Sequence, residues 1–193
     1  AVYGDMCAKM FPAACHHNVK KLYPKFMIGG RLCSLSPTAS YEKAARLAAS
    51  TRLQGPTPTL GPRRAELAKL LQDALHAAKV VSYTQGLDLM RTMSEEKIWA
   101  LDLGGIASIW RGGCIIRARF LGRITDAYRA DPELPNLMRA PFFEGVLNRS
   151  QQAWREVVAM AVASGVPVPA LSASLAYYDS YRCARLPANL LQA

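Results

Sequence analysis

The chain has 193 residues, 51% of them hydrophobic and 20% charged. That is ordinary globular usage, and it excludes a disordered tail, a collagen-like rod and a small disulfide scaffold. Lys and Arg number 24 against 14 Asp and Glu, a net charge of +10. A chain this long buries roughly 70% of its unfolded surface and holds a core without staples. The charge invites a polyanion partner or acidic neighbouring subunits, although the basic residues are spread along the sequence.

No stretch approaches about 18 uninterrupted apolar residues, so no membrane span is expected. The first residues do not show a charged segment followed by an apolar one, so a signal peptide is expected to be absent or already removed. The cysteines are Cys7, Cys15, Cys33, Cys114 and Cys183. Their odd number, irregular spacing and lack of any CxxC read as free thiols of a reducing compartment. The expected location is the cytoplasm or an organellar matrix, mitochondrial or plastid, and not the secretory route.

Residues 1–40 hold three cysteines, the pair His16-His17, Gly29-Gly30 and three prolines. Helical periodicity is weak there, so a helical start followed by irregular elements is expected. Adjacent histidines point apart on a helix, and zinc needs about four convergent ligands at short spacings, so no metal site is read from His16, His17, Cys7, Cys15 and Cys33.

From Tyr41 the pattern becomes helical. Glu42 to Leu53 is rich in Ala, Arg and Leu, and Gly55-Pro56 stops it. A long helix is predicted from Pro62 to Thr92, with Pro62 in its first turn. Leu67, Leu70, Leu71, Ala74, Leu75 and Ala78 form its apolar stripe. Asp102 caps the next predicted helix, which carries Ile106, Ile109, Trp110, Ile115, Ile116, Phe120 and Ile124 and ends at Asp131-Pro132. Gly112, Gly113 and Gly122 lie inside it, each costing about 1 kcal/mol against Ala and each allowing close approach of another backbone. Arg111, Arg117, Arg119, Arg123 and Arg129 fall on several faces of this helix, which reads as solvated positions and salt bridges. Another helix is predicted from Pro141 to Ser164, burying Phe143, Val146, Leu147, Trp154, Val157, Val158 and Ala161, with Gly165 just past its end and Pro167 enforcing the stop. Leu171 to Cys183 makes a further helix, and Leu186 to Gln192 extends the pattern. No alternating strand pattern of any length exists. The expected fold is all-α, in two parts: residues 1–40 as a poorly defined segment and 41–193 as a helical domain.

Several motifs carry a specific resemblance. Ser82-Tyr83-Thr84-Gln85-Gly86 is followed by Leu103-Gly104-Gly105-Ile106-Ala107 and Ile109-Trp110-Arg111-Gly112-Gly113-Cys114-Ile115-Ile116-Arg117. Later come Phe120-Leu121-Gly122-Arg123-Ile124, Asp131-Pro132-Glu133-Leu134, Asn136-Leu137 and Pro167-Val168-Pro169. The series closes with Tyr178-Asp179-Ser180-Tyr181-Arg182 and Leu186-Pro187-Ala188-Asn189-Leu190-Leu191-Gln192-Ala193. In order and spacing, residues 82–192 resemble the C-terminal helical domain of decarboxylating 6-phosphogluconate dehydrogenases. Arg46, Ala49-Ser50 and Gly55-Pro56 match a preceding family helix. Tyr3-Gly4-Asp5-Met6 matches the end of the family's catalytic helix motif.

The resemblance implies NADP-dependent oxidation and decarboxylation of 6-phosphogluconate to ribulose 5-phosphate. It also implies a homodimer built on the helical domain, with helices around 102–130 and 141–164 in subunit contact. Tyr3 matches a substrate-contacting Tyr, and Arg31 a phosphate-binding Arg upstream of the Arg46 helix. The departures are equally specific. The family's catalytic Lys and His-Asn pair would precede Ala1, and its catalytic Glu falls at Val2. The Lys-Gly-Thr-Gly substrate loop is not found between Met6 and Tyr41. No GxGxxG is present for a dinucleotide. The family's C-terminal tail, with the Arg and His that reach into the partner subunit, would follow Ala193.

These residues therefore imply no catalytic group in this chain and no NADP bound by it alone. The expectation is a helical substrate and dimerisation domain, not catalytic by itself. The alternative is a degenerate member serving as a structural subunit of a large organellar assembly. A nucleic-acid-binding role rests on charge alone, without aromatic interleaving in the sequence.

Overall fold

The computed structural model describes residues 43–56, 64–112 and 119–186, and these residues are helical with no strand among them. The helices are α1 (Lys43–Ser50), α2 (Arg64–Lys97), α3 (Leu103–Ile109), α4 (Leu121–Ala130), α5 (Pro141–Ala163) and α6 (Pro169–Arg182), with a 3-10 turn at Leu137–Arg139. The chain divides into two compact units, one of Ala1–Ala74 with Ala153–Ala193, the other of Leu75–Gln152.

The second unit starts within α2. At 34 residues, α2 is about 51 Å long. Its buried face is Ala74, Ala77, Ala78, Val80, Val81, Thr84 and Leu87. The expected leucine stripe is displaced, because Leu71 is 44% exposed and Leu75 60% exposed. Small side chains line the buried face, and Thr84 keeps its hydroxyl satisfied by donating to the Val80 carbonyl at 2.9 Å. A buried hydroxyl without a partner would be costly.

The helix expected from Asp102 to Asp131 is interrupted. Asp102 does cap α3, accepting from Gly105 N at 2.9 Å, but α3 ends at Ile109 and turns through Trp110–Gly112 before α4 begins at Leu121. A helix end leaves orphan carbonyls. Here the Ser108 and Ile109 carbonyls accept from the Arg111 and Gly112 amides, 3-10 bonds that tighten and close the last turn. The break folds α3 against α4. Gly104 makes this possible, since a Cβ there would lie 3.3 Å from Tyr128 Cβ and 3.5 Å from the Thr125 carbonyl. Thr125 Oγ1 lies 3.2 Å from the Gly104 carbonyl and 3.3 Å from that of Leu121, joining the helices. Asn136 is buried and caps the 3-10 turn by accepting from Met138 N.

α5 follows most of its predicted pattern. Phe143, Val146, Leu147, Trp154 and Val157 are buried, while Val158 and Ala161, expected on the same face, are half-buried. Its end is a Schellman cap. Gly165 has φ +67°, its amide donates to Val162 O, and the Val166 amide donates to Ala161 O. A Cβ on Gly165 would meet Pro56 at 3.0 Å, so glycine serves both conformation and packing. The end of α2 repeats the bonding without glycine. Ile98 has φ 56°, with Ile98 N on Glu95 O and Trp99 N on Ser94 O. A β-branched residue is unfavourable in that conformation.

Candidate functional site

Tyr3 and Arg31, the two substrate-binding candidates, lie outside the described residues, as do His16, His17, Cys7, Cys15, Cys33 and Cys114. Cys183 is described; it is an exposed free thiol. Among the described residues no group of three or more His, Cys, Asp or Glu side chains converges as a metal site.

Three polar or aromatic constellations form within the units. In the first unit, α5 grips α6 through two consecutive residues. Trp154 Nε1 donates to the Leu171 carbonyl at 3.1 Å. Arg155 makes a two-armed pair with Asp179, Nη1 donating to Oδ2 at 2.9 Å and Nη2 to Oδ1. Arg182 Nε also donates to Asp179 Oδ1, at 2.8 Å, and its guanidinium lies 5.9 Å from the Tyr178 ring centroid. The hydrogen bonds from Arg155 hold the Asp179 carboxyl below the usual carboxylate range, burial opposing and Arg182 assisting.

In the second unit, Arg91 bridges Asp88 and Glu95 at 2.8 and 2.6 Å along α2. Its Nε is buried without a hydrogen-bond partner among the described residues. The hydrogen bond to Asp88 is the main reason that Arg91 holds its proton more tightly than usual. Tyr128 is pushed up to about 12, chiefly by burial, with the Asp88 charge adding to it.

The third constellation is aromatic. Phe120 is its hub, with Tyr83 at 5.2 Å, His76 at 5.9 Å and Phe143 at 6.0 Å between ring centroids. Trp110 extends it from Tyr83, and Phe142 from Phe143. Arg123 lies over Phe142 at 5.2 Å. The five arginines placed on one predicted helix are distributed differently. Arg111 and Arg119 lie on turns, Arg123 and Arg129 on α4, and Arg117 lies outside the described residues. Sequence reasoning missed the Arg155–Asp179 pair, whose partners are 24 residues apart, and the Asp88–Arg91–Glu95 bridge. The latter had a signal, because i,i+3 and i,i+4 charges face each other on a helix.

The 6-phosphogluconate dehydrogenase C-terminal domain family matches residues 34–193. The decarboxylating 6-phosphogluconate dehydrogenase of Drosophila melanogaster is 54% identical over 154 residues, covering 78% of this chain and 32% of that protein. The Escherichia coli K12 enzyme is 52% identical over 151 residues, again covering 78% and 32%. In structure, Plasmodium falciparum 6-phosphogluconate dehydrogenase, described in its apo form and in complex with its cofactor NADP+ and its substrate 6-phosphogluconate, aligns with a TM-score of 0.82 at 34% identity. That alignment covers 95% of this chain and 39% of the Plasmodium chain. The chain thus spans about a third of the length of the curated relatives it matches. Its described helices, its α5 and α6 motifs and these matches agree, and the chain belongs to the 6-phosphogluconate dehydrogenase family through its C-terminal helical domain.

Proposed function

We propose that this chain provides the helical substrate and dimerisation domain of a decarboxylating 6-phosphogluconate dehydrogenase, and that residues 1–193 do not turn over substrate by themselves. The carrying observation is the family match across residues 34–193, at more than half identity to enzymes named for that reaction. In this reading residues 41–193 form the helical domain, and 1–40 hold the end of the catalytic helix and a further segment. Tyr3 and Arg31 contact the sugar acid and its phosphate. The site is cytoplasmic or in an organellar matrix. No helix among the described residues is long and apolar enough to cross a membrane.

The reaction needs a dinucleotide site, a base and an acid. A dinucleotide pyrophosphate sits on a helix N-terminus behind a glycine turn that follows a strand. The described residues hold no strand, so they offer no strand–turn–helix cradle for that pyrophosphate. Val2 stands where the resemblance places the acid, and its isopropyl group moves no proton. The remaining family role is scaffold: binding one end of the substrate and joining subunits.

The test is an NADPH absorbance assay of the purified 193-residue chain with 6-phosphogluconate and NADP+, alongside sedimentation. The expected result is no turnover from a self-associating chain. Turnover would sink the non-catalytic reading, and a monomer at micromolar concentration would sink the dimerisation reading. The intact mass of the polypeptide from its native source then separates a domain of a longer enzyme from a separate structural subunit.

A further inference from the structure

We infer that Ser50, at the end of α1, is a phosphorylation site for a protein kinase that reads basic residues on both sides of its acceptor, a role beyond the dehydrogenase reading and independent of it.

α1 is eight residues long and buries none of them. It is shorter than the roughly 12 residues at which an isolated helix becomes even marginal in water. Segments with so few buried contacts open locally at low cost, and an acceptor hydroxyl must leave its helix to lie in a kinase cleft. Ser50 and Thr51 are exposed, as are the residues that follow as far as Pro56. The Ser50 hydroxyl donates to the Leu47 carbonyl and the Thr51 hydroxyl to that of Ala48, each at 2.8 Å. Both bonds lie within one turn and are lost together when that turn opens. α1 also stands apart from the helices around 102–130 and 141–164 that the family resemblance places in subunit contact.

The charge around Ser50 has one sign. From Lys43 to Ala65 the chain carries Lys43, Arg46, Arg52, Arg63 and Arg64 and no Asp or Glu, and so supplies half of the net charge of +10. Lys43, Arg46 and Arg52 are exposed. Side chains alternate along an extended segment, which puts Arg46, Ser50 and Arg52 on one side and Thr51 on the other. Carboxylates in a kinase cleft then meet both guanidinium groups while Ser50 faces the nucleotide. The Ser50 oxygen attacks the γ-phosphorus of magnesium-bound ATP, the bond from that phosphorus to the β–γ bridging oxygen breaks, ADP leaves, and the hydroxyl proton passes to the kinase's catalytic Asp. The product sets about two negative charges at the C-terminal end of α1, where the helix dipole is already negative, and removes the donor to Leu47. The last turn of α1 then loosens, where the Arg52 and Leu53 amides donate to the Ala49 carbonyl at 3.0 and 2.8 Å.

The test is incubation of the full chain with radiolabelled ATP and the catalytic domain of protein kinase C, a basic-directed enzyme, with an acid-directed casein kinase as control. The basic-directed kinase should label Ser50, as mapped by mass spectrometry. Ser50→Ala should abolish the label, and Thr51→Val should keep it. Arg46→Gln/Arg52→Gln should slow labelling about 10-fold or more. Lys79→Gln/Arg139→Gln, the same charge change at exposed positions elsewhere, should be labelled at the parent's rate. In the phosphorylated chain, hydrogen exchange of the Arg52 and Leu53 amides should rise about 10-fold. All these variants change exposed side chains, and circular dichroism checks their fold. Label on Thr51 or elsewhere without Ser50, equal rates in the two double variants, or equal labelling by the acid-directed kinase would overturn the proposal. Slower amide exchange after phosphorylation would overturn the loosening of α1.

Discussion

Arg155 and Asp179 face each other with both guanidinium arms on both carboxylate oxygens, Nη1 at 2.9 Å from Oδ2. This pair joins the middle of α5 to the third turn of α6, and Arg182 supports it from the same helix as Asp179. Planar two-armed geometry makes the pair stronger than a single-contact surface bridge, although each side chain is about a third exposed and solvent screening limits its contribution.

Removing one partner should therefore cost a modest amount. Arg155→Ala and Asp179→Ala are each expected to lower unfolding stability by about 1 kcal/mol, Asp179→Ala slightly more because it also frees Arg182. A double-mutant cycle in urea should give a coupling of about 0.5–1 kcal/mol. A coupling of zero would show that this ion pair does not help to hold the two helices together.

The same carboxylate predicts an acid dependence. Its folded-state pKa lies below its ordinary value, mainly through the Arg155 hydrogen bonds. Its contribution is then fully present above the unfolded pKa near 3.8 and is lost as pH falls through the lower folded value. Asp179→Asn should flatten the stability profile on the acid side of that point and leave the slope at neutral pH unchanged. Denaturant midpoints across an acid series test this.

Tyr128 predicts the alkaline counterpart. Burial raises its pKa to about 12 from 10.0, so its contribution persists below pH 10.0 and is lost as pH rises through about 12. In a near-ultraviolet titration of phenolate, Tyr128→Phe should remove a component that ionises near 12. Loss of an ordinary component instead would contradict the burial.

The two left-handed helix ends predict opposite signs. Gly165→Ala should destabilise by about 1–2 kcal/mol, because φ +67° disfavours a Cβ and Pro56 occupies its space. Ile98→Gly should stabilise by about 0.5–1 kcal/mol, as relief of the strained backbone at φ 56° exceeds the added freedom of the unfolded chain. Thermal midpoints that move the same way in both variants would refute this account.

The sequence by itself determined the all-α class, the ends of α5, the capping role of Asp102 and the family. These depend on local chemistry: periodic apolar residues, a glycine at a left-handed position, a carboxylate at a helix start, and motifs in order. It did not determine which face of α2 is buried. Leucines and alanines share that helix, and the buried face carries Ala74, Ala77 and Ala78 with Val80, Val81 and Leu87, while Leu71 and Leu75 stay exposed. Nor did it locate the break after Ile109, since apolar residues at helical spacing run on in the sequence beyond it. Tyr3 and Arg31 rested on resemblance and lie outside the described residues. Arg155 met Asp179, and Arg111 met Gly122, only through tertiary folding. Local propensity acts over a few residues, whereas contacts between residues far apart in the chain exist only once the helices have packed.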